Sequence, residues 1–406
     1  DDSSDDTEDF SDSEDEGKSG YKRGGYHPVK IGDVYNGRYT VHRKLGWGHF
    51  STVWLATDSN IEDDTDPHKC VALKIQKSAS QYTEAAEDEI DLLKAVNREC
   101  GVSGRYIIKL LNQFKIYGPH GKHICMVFEL MGRNLLHMIK KHNYRGIPMN
   151  ICKRITYQIL LGLDFLHRKC KIIHTDLKPE NFLMKPKHKG GNGGGDGEDG
   201  EATRAADDVP SPPTQTVESR SPTINSVGAE KVPKTDDLFV CKISDLGNGC
   251  WVHKHFTDDI TTRQYRSPEV ILGLPYSCPT DIWSVGCIVF EFITGDYLFD
   301  PQEDKYGKHS RDEDHLALMI ELLGKMPKKM YQQGKNSRNF FNRKGELRII
   351  KKLDFWGLED ILLEKYKFAP EDAKEVTEFL LPMLQFNSKN RITAQEALKS
   401  SWLEDV

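Results

Sequence analysis

No apolar run in this 406-residue chain approaches the roughly 20 residues needed to span a bilayer, and no membrane role is expected. Its first residues are acidic, which is not the composition of a signal peptide. Paired thiols are missing too. The nine cysteines (70, 100, 125, 152, 170, 241, 250, 278 and 287) are odd in number and scattered, with no CxxC and no grouping with histidine at metal-ligand spacing. They read as reduced thiols filling core gaps in a cytosolic or nuclear protein. A strong charge of either sign is likewise lacking: the formal net charge is −6, with the acid concentrated in residues 1 to 16. Direct binding of nucleic acid is therefore not expected.

Two stretches lack the apolar residues needed to fold. From Asp1 to about Gly25 the sequence begins DDSSDDTEDFSDSEDEGKSG, an acidic disordered tail. From about Lys185 to Asp237, Gly, Pro, Ser and Asp dominate (GGNGGGDGEDGEATRAADD, then SPPTQTVESRSPT) and no periodicity survives. This block reads as an insertion looped out of a folded domain. Each doubling of such a loop costs only about 0.6 kcal/mol.

What is present falls into two patterns. Tyr39-Thr40-Val41, Thr52-Val53-Trp54-Leu55, Val71 to Ile75 and Ile124 to Val127 read as strands. Thr83 to Val96 repeats its apolar face at helical spacing behind a candidate Thr83 N-cap. From about Leu135 onward the spacing is mainly helical, over Ile151 to His167, Thr280 to Thr294, His315 to Leu323 and Asp372 to Leu384. The expected architecture is α+β, a small strand-rich lobe with one helix followed by a larger helical lobe.

Chemistry-bearing residues occur along both parts. Gly46-Trp47-Gly48-His49-Phe50 lies between two strands, where glycine lets a backbone approach phosphate, although a plain hairpin turn has the same composition. Lys74 ends Val-Ala-Leu-Lys inside a strand and needs a partner; Glu89 lies on the helix face shared with Ala85, Ala86 and Leu93. IIHTDLKPEN (Ile172 to Asn181) offers a carboxylate, a cation and an amide in a proline-stiffened loop. Asp245-Leu246-Gly247 puts a carboxylate at a strand end, where it can hold Mg²⁺. Ser267-Pro268-Glu269 and Asp281-Ile282-Trp283-Ser284 follow in order.

That ordered set resembles the protein-kinase signature over essentially all of residues 38 to 406 apart from the insertion. The resemblance implies a bilobal kinase fold with an N-lobe over 26 to 130 and a C-lobe over 131 to 406, interrupted at 185 to 237. It implies ATP and Mg²⁺ as cofactors. Lys74, positioned by Glu89, would hold the α- and β-phosphates, and Asn181 and Asp245 would bind the metal. Asp176 would accept the proton of the substrate hydroxyl, and Lys178 would neutralise the transferring group. The ATP pocket would be lined by Leu45, Gly46, Trp47, Gly48, His49, Phe50, Val53, Ala72, Phe128, Glu129, Met131 and Leu183. Here Phe128 would guard the back of the pocket and Glu129 to Met131 would form the hinge, although Phe128 also fits ordinary core packing. Glu269 and Arg391 match a pair that anchors the end of the segment starting at Asp245.

LGWGHFSTVW, YTEAAEDEI, IIHTDLKPEN, ISDLGNGCW and TRQYRSPEV together resemble the SR protein kinases, which phosphorylate serines in Arg-Ser repeats of splicing factors. A long insertion and an acidic N-terminus also fit that family, which implies a monomer shuttling between cytoplasm and nucleus. Asp296, Asp314 and Glu321, among other acids of the same region, would form a docking groove for a chain with a cation at every second residue; the alternative is a solvated acidic loop. Two other readings are a LAMMER-type kinase, which should carry an EHLAMMER-like string where this chain reads DEDHLALMIELLG, and a non-catalytic docking pseudokinase.

Thr175 is the departure. Many kinases carry arginine there and use it to grip a phosphate on the activation segment. With threonine at that position and a short segment from Asp245 to Glu269, Thr257, Thr261 and Thr262 would lack their main phosphate receptor. Trp251, Phe256 and Tyr265 would anchor the segment by packing. The expectation is an enzyme active as synthesised.

Overall fold

The computed structural model describes residues 17–99, 102–185, 240–304, 306–404 and 406. Residues 1–16 of the expected tail (1–25) and residues 186–237 of the expected insertion (185–237) lie outside the described residues.

Six strands form one antiparallel sheet in the order β1-β2-β3-β4-β6-β5. They are β1 (Val34–Tyr35), β2 (Tyr39–Gly48), β3 (Ser51–Asp58), β4 (Cys70–Gln76), β5 (Leu110–Gly118) and β6 (Gly121–Glu129), with helix α1 (Ser80–Arg98) between β4 and β5. Period-2 patterning decides which side each residue takes. On β4, Val71, Leu73 and Ile75 are buried with Tyr39, Val41, Trp54 and Val127 in one core. Ala72 and Lys74 face the other way, in register with Phe128 and Met126 of β6 and with Leu55 and Val53 of β3. That second face carries α1, whose Ala86, Ile90 and Leu93 pack with Met126 and Phe128.

The rest is helical with short strands: α2 (Leu135–Lys141), α3 (Met149–Asp164), β7 (Ile172–Ile173), β8 (Phe182–Met184), β9 (Cys241–Ile243), β10 (Cys250–Trp251), α4 (Pro268–Ile271), α5 (Pro279–Thr294), α6 (Arg311–Leu323), α7 (Lys328–Gln333), α8 (Ser337–Phe340), α9 (Leu358–Glu364), α10 (Pro370–Leu380) and α11 (Ala394–Ala397). Helix α5 is buried along almost its whole length and forms the axis of this lobe. The β8–β9 pair, Phe182 with Ile243 and Met184 with Cys241, brings the two sides of the inserted block together as neighbours. The eight described cysteines are free. Burial pushes the thiols of Cys125, Cys241 and Cys287 up, which keeps them unreactive.

Two local expectations need correction. Composition extends the acidic tail to Gly25, but Lys18–Gly20 forms a turn of 3₁₀ helix and Gly24 and Gly25 are hydrogen-bonded to His120, Ser78 and Ala79. Backbone pairing orders this glycine-rich stretch, and composition does not show backbone pairing. Helix α1 begins at Ser80, three residues before the expected Thr83, with Ala79 at its N-cap and no side-chain cap bond.

Candidate active site

The cleft between the sheet and the helical lobe is built around Lys74. Its ammonium donates to both oxygens of Glu89, at 3.0 and 2.9 Å, and to Asp245 Oδ1 at 3.3 Å. Burial works against the ammonium charge, but Glu89 and Asp245 outweigh it, so the Lys74 pKa is raised. Lys74 in turn holds the Asp245 carboxyl below the usual carboxylate range. Burial pushes Glu89 up, against the pull of Lys74. Gly247 lets the turn after Asp245 sit against this group, since a β-carbon there would stand 3.2 Å from Asp245 Oδ1 and 3.4 Å from Glu89 Oε2.

The second cluster lies on the loop after β7. Asp176 Oδ1 accepts from Thr262 Oγ1 at 2.8 Å, and Oδ2 accepts from Asn248 at 3.3 Å and faces Lys178 Nζ at 3.2 Å. Lys178 Nζ also donates to the Thr262 hydroxyl at 3.3 Å. Asn181 donates from Nδ2 to the Asp176 carbonyl at 2.8 Å, and its own carbonyl accepts from Ser244 N at 2.8 Å. That last bond sets Asn181 beside Asp245. An amide oxygen and an ionised carboxylate at one spot are hard oxygen donors, which fits a divalent cation that also takes phosphate oxygens and water.

Thr175 is buried with φ +68°. A β-branched residue in the left-handed region costs on the order of 1–2 kcal/mol. Asp281 of α5 holds it there: Oδ1 accepts from Thr175 N at 2.9 Å, and Oδ2 accepts from His174 N and the His167 ring, both at 2.8 Å. The Thr175 hydroxyl donates to the Asn248 carbonyl at 2.7 Å. The position at which the resemblance would place a phosphate receptor joins the loop after β7 directly to the turn after Asp245.

On the side expected to take the nucleotide, Val53, Ala72 and Phe128 lie on the cleft face of the sheet, with Leu183 on β8 half-buried. Phe128 also belongs to the main core, so packing and pocket lining coincide there. Gly46 and Gly48 close the β2–β3 hairpin opposite Val53 and Ser51. A β-carbon on either glycine would meet nothing within 4 Å, so a phosphate can approach the backbone there. The side chains of His49 and Phe50 do not line the cleft as expected: their rings pack with Tyr82 of α1, at 6.4 and 5.6 Å, which leaves their backbone as the part that can face a phosphate. The Glu129 carboxylate is taken by Lys109 N at 2.9 Å and Lys242 Nζ at 2.5 Å, so its hinge contribution is through the main chain. Leu45 is exposed and Trp47 and Met131 are half-buried.

Each of the three expected docking residues has partners within the protein. Asp314 and Glu321 lie on α6, where Asp314 Oδ2 accepts from Gln302 N at 2.8 Å and Glu321 Oε1 from Asp354 N at 2.9 Å. Asp296 follows α5 and is bonded to Lys365 and Tyr366, at 3.1 and 2.7 Å. Each carboxylate supports a loop, and their charge remains available only in part.

Residue patterning does not reveal the roles of Thr262, Asn248 and Asp281 in holding the loop. Thr262 lies seven residues before Glu269, and that spacing is the one available signal. The segment is anchored by packing at two of the three expected aromatics. Trp251 pairs with Ile172 and packs against the main core, and Tyr265 is buried there and donates to Glu291 at 2.7 Å, whereas Phe256 is exposed with Lys254 over its ring. Polar bonds add to this: Arg263 with Asp312, Arg266 with Asp259 (3.1 Å) and the Thr261 carbonyl (2.8 Å), Lys335 with Asp258 (2.8 Å), and Tyr276 with the Thr257 carbonyl (2.8 Å). Glu269 and Arg391 form the expected pair, 2.6 Å apart.

The protein kinase domain model matches residues 39–191 and 232–403. Among curated proteins, the chain is 49% identical to "Serine/threonine-protein kinase SRPK" of Physarum polycephalum, over 99% of this chain and 94% of the relative. It is 40% identical to "Protein kinase dsk1" of Schizosaccharomyces pombe, over 95% and 84%, and 38% identical to human "SRSF protein kinase 3", over 97% and 91%. These names favour the SR protein kinases over the LAMMER and pseudokinase readings. With the signature residues gathered in one cleft, the chain belongs to the protein kinase family, and within it to the SR protein kinases, as a serine/threonine kinase that takes its phosphate from ATP.

Proposed function

We propose that this kinase phosphorylates serine in Arg-Ser-rich segments of splicing factors, and that it is active without phosphorylation of its own activation segment. The substrate class rests on the resemblance to SR protein kinases and on the names of its relatives. The observation that carries the second part is the assembled site: Lys74, Glu89 and Asp245 are joined, and Asp176 is hydrogen-bonded to Thr262, all through the protein's own side chains. Carboxylates at Asp258, Asp259 and Asp312 already occupy the cations that a phosphate would otherwise recruit.

In this reading Asp176 orients the serine hydroxyl and accepts its proton as the oxygen attacks the γ-phosphorus. Thr262 and Asn248 hold the carboxylate in place beforehand. Lys178 lies beside both Asp176 and Thr262, where its charge offsets that of the transferring phosphoryl group. Lys74, kept charged by Glu89, holds the α- and β-phosphates, and the open side of Gly46 and Gly48 admits them. Asn181 and Asp245 hold Mg²⁺, which supplies neutralisation of phosphate charge when bound. Asp314 and Glu321 attract the basic substrate, with Asp296 as a separate acidic point. A monomer working in cytoplasm and nucleus completes the proposal, resting on the family resemblance.

Transfer of labelled phosphate from ATP to an Arg-Ser peptide, compared with an acidic Ser peptide, tests the substrate class. The Arg-Ser peptide should be strongly preferred and the signal lost in Asp176→Ala; equal labelling of the two peptides would overturn it. Phosphatase-treated enzyme should keep its full rate, and loss of activity on that treatment would refute the claim of activity without a segment phosphate.

A further inference from the structure

Residues 17–27 have no place in the chemistry above, yet they touch the parts of the small lobe that chemistry depends on. The Tyr26 side chain is buried, and its hydroxyl donates to the carbonyl of Gly48, in the glycine loop, at 2.7 Å. The preceding backbone grips the start of α1: Ser78 N donates to the Gly25 carbonyl at 3.2 Å and Ala79 N to the Gly24 carbonyl at 3.0 Å. His120, in the β5–β6 turn, closes the far side, its carbonyl accepting from Gly24 N at 3.1 Å and from Ser78 Oγ at 2.7 Å.

A ring of contacts returns to the same loop. Lys77 Nζ lies 4.4 Å from the centroid of the Tyr26 ring and 5.5 Å from that of Tyr82. Tyr82 packs on Phe50 at the loop tip, and Lys77 N donates to the Phe50 carbonyl at 2.9 Å. The glycine loop and the helix carrying Glu89 are therefore fastened to one another through a segment outside the catalytic signature. A two-stranded hairpin tip with two glycines is by itself a mobile element, because glycine gives up the most backbone freedom on ordering.

We propose that Tyr26 is a positioning residue for nucleotide binding, its hydroxyl holding the glycine loop at the height at which the loop backbone meets the phosphates of ATP. This rests on the reading of that loop as the phosphate cover. The carbonyl of Gly48, once bonded to Tyr26, is turned toward the N-terminal segment, and phosphates are repelled by carbonyl oxygens and attracted by N–H groups. Losing the bond frees the loop and lowers the fraction of enzyme with the loop set for ATP.

The experiment is steady-state kinetics on the full chain with Tyr26→Phe, which keeps the ring and its contact with Lys77. The KM for ATP should rise roughly three- to tenfold, the size of one hydrogen bond, with kcat within about twofold, the peptide KM unchanged and Tm within about 2 °C. A structural role alone would move Tm, or both KM values together, and that result overturns the proposal, as does an unchanged KM for ATP. Gly25→Ala attacks the same brace independently: its β-carbon would lie 2.1 Å from the Gly20 carbonyl oxygen, so the brace must shift, and the ATP KM should rise at least as far. Lys74→Met separates the two readings. If it abolishes activity while Tyr26→Phe leaves the ATP KM untouched, the brace proposal fails and the site stands. If Lys74→Met keeps full activity, the assignment of the phosphate site itself is wrong.

Discussion

Two buried ion pairs, one in each lobe, look alike in chemistry and differ in what surrounds them. Arg391 and Glu269 are nearly inaccessible, with side-chain exposures of 0% and 2%. The guanidinium donates to both Glu269 oxygens and to the carbonyls of Pro279, Gln385 and Phe386, and it stacks 5.1 Å over Trp283. Its donors are used up inside the protein, and a ligand has nothing to compete for. Lys74 shares one compact charge between Glu89 and Asp245, and Asp245 is 46% exposed to the cleft. One charge facing two carboxylates, with an open side, is an arrangement that arriving phosphate and metal can rearrange. The saturated pair builds the structure and the unsaturated one serves the chemistry.

Breaking the saturated pair should have the largest effect. Arg391→Ala leaves Glu269 buried without its partner and should lower stability by about 3–5 kcal/mol, seen as a steep fall in denaturation midpoint or loss of soluble protein; a shift under about 1 kcal/mol would dissolve the distinction. Lys74→Met should have the opposite profile. Phosphotransfer should fall roughly 10²- to 10³-fold, while chemical denaturation shows less than half the loss seen with Arg391→Ala, because Glu89, already pushed up by burial, can take a proton.

A third prediction concerns pH. Burial, with His123 close by, lowers the His27 pKa from 6.5 to about 4. The folded state therefore keeps this ring neutral where the unfolded chain protonates it. Stability from this group is present above pH 6.5 and is lost as pH falls from 6.5 toward 4, by about 3 kcal/mol for a shift of that size. His27→Gln should flatten that part of a stability–pH curve, and an unchanged slope would count against it. The smallest effect is expected from Thr175→Val, which keeps the shape at φ +68° and removes the bond to the Asn248 carbonyl. About 1 kcal/mol of stability should be lost, with more than half the wild-type rate retained; a collapse in rate would place Thr175 closer to the chemistry than the pair at Asp281 implies.

Much of the active site is legible in the order of residues along the chain. Val-Ala-Leu-Lys, the helix glutamate, IIHTDLKPEN and Asp-Leu-Gly occur in an order that a protein without phosphotransfer chemistry has no reason to keep, and the fold brings Lys74, Glu89 and Asp245 within hydrogen-bond reach. Period-2 and 3.6 patterning also places β3, β4 and α5 to within a few residues and marks the start of β2, though not its run on to Gly48. The N-terminal brace is not legible, because KSGYKRGGYH has no periodicity and its order comes from backbone bonds to Ser78, Ala79 and His120. Nor is the start of α1, which has no capping side chain to mark it. An aromatic such as Phe256 invites an expectation of burial, yet it is exposed, and the segment is tied by Trp251 and Tyr265 together with Arg263, Arg266 and Lys335.

The sequence by itself determined which chemical groups exist and in what order they reach the cleft, since residue type and spacing are local properties. It also determined, through Thr175, that no arginine stands before Asp176. Only the tertiary structure decided what takes over from that arginine: a hydroxyl bonded to Asn248, a left-handed backbone held by Asp281 from more than a hundred residues away, and Thr262 seated on Asp176. Hydrogen bonds act over about 3 Å and need alignment. Which donor meets which acceptor is therefore settled by the path of the whole chain and cannot be read from any one segment.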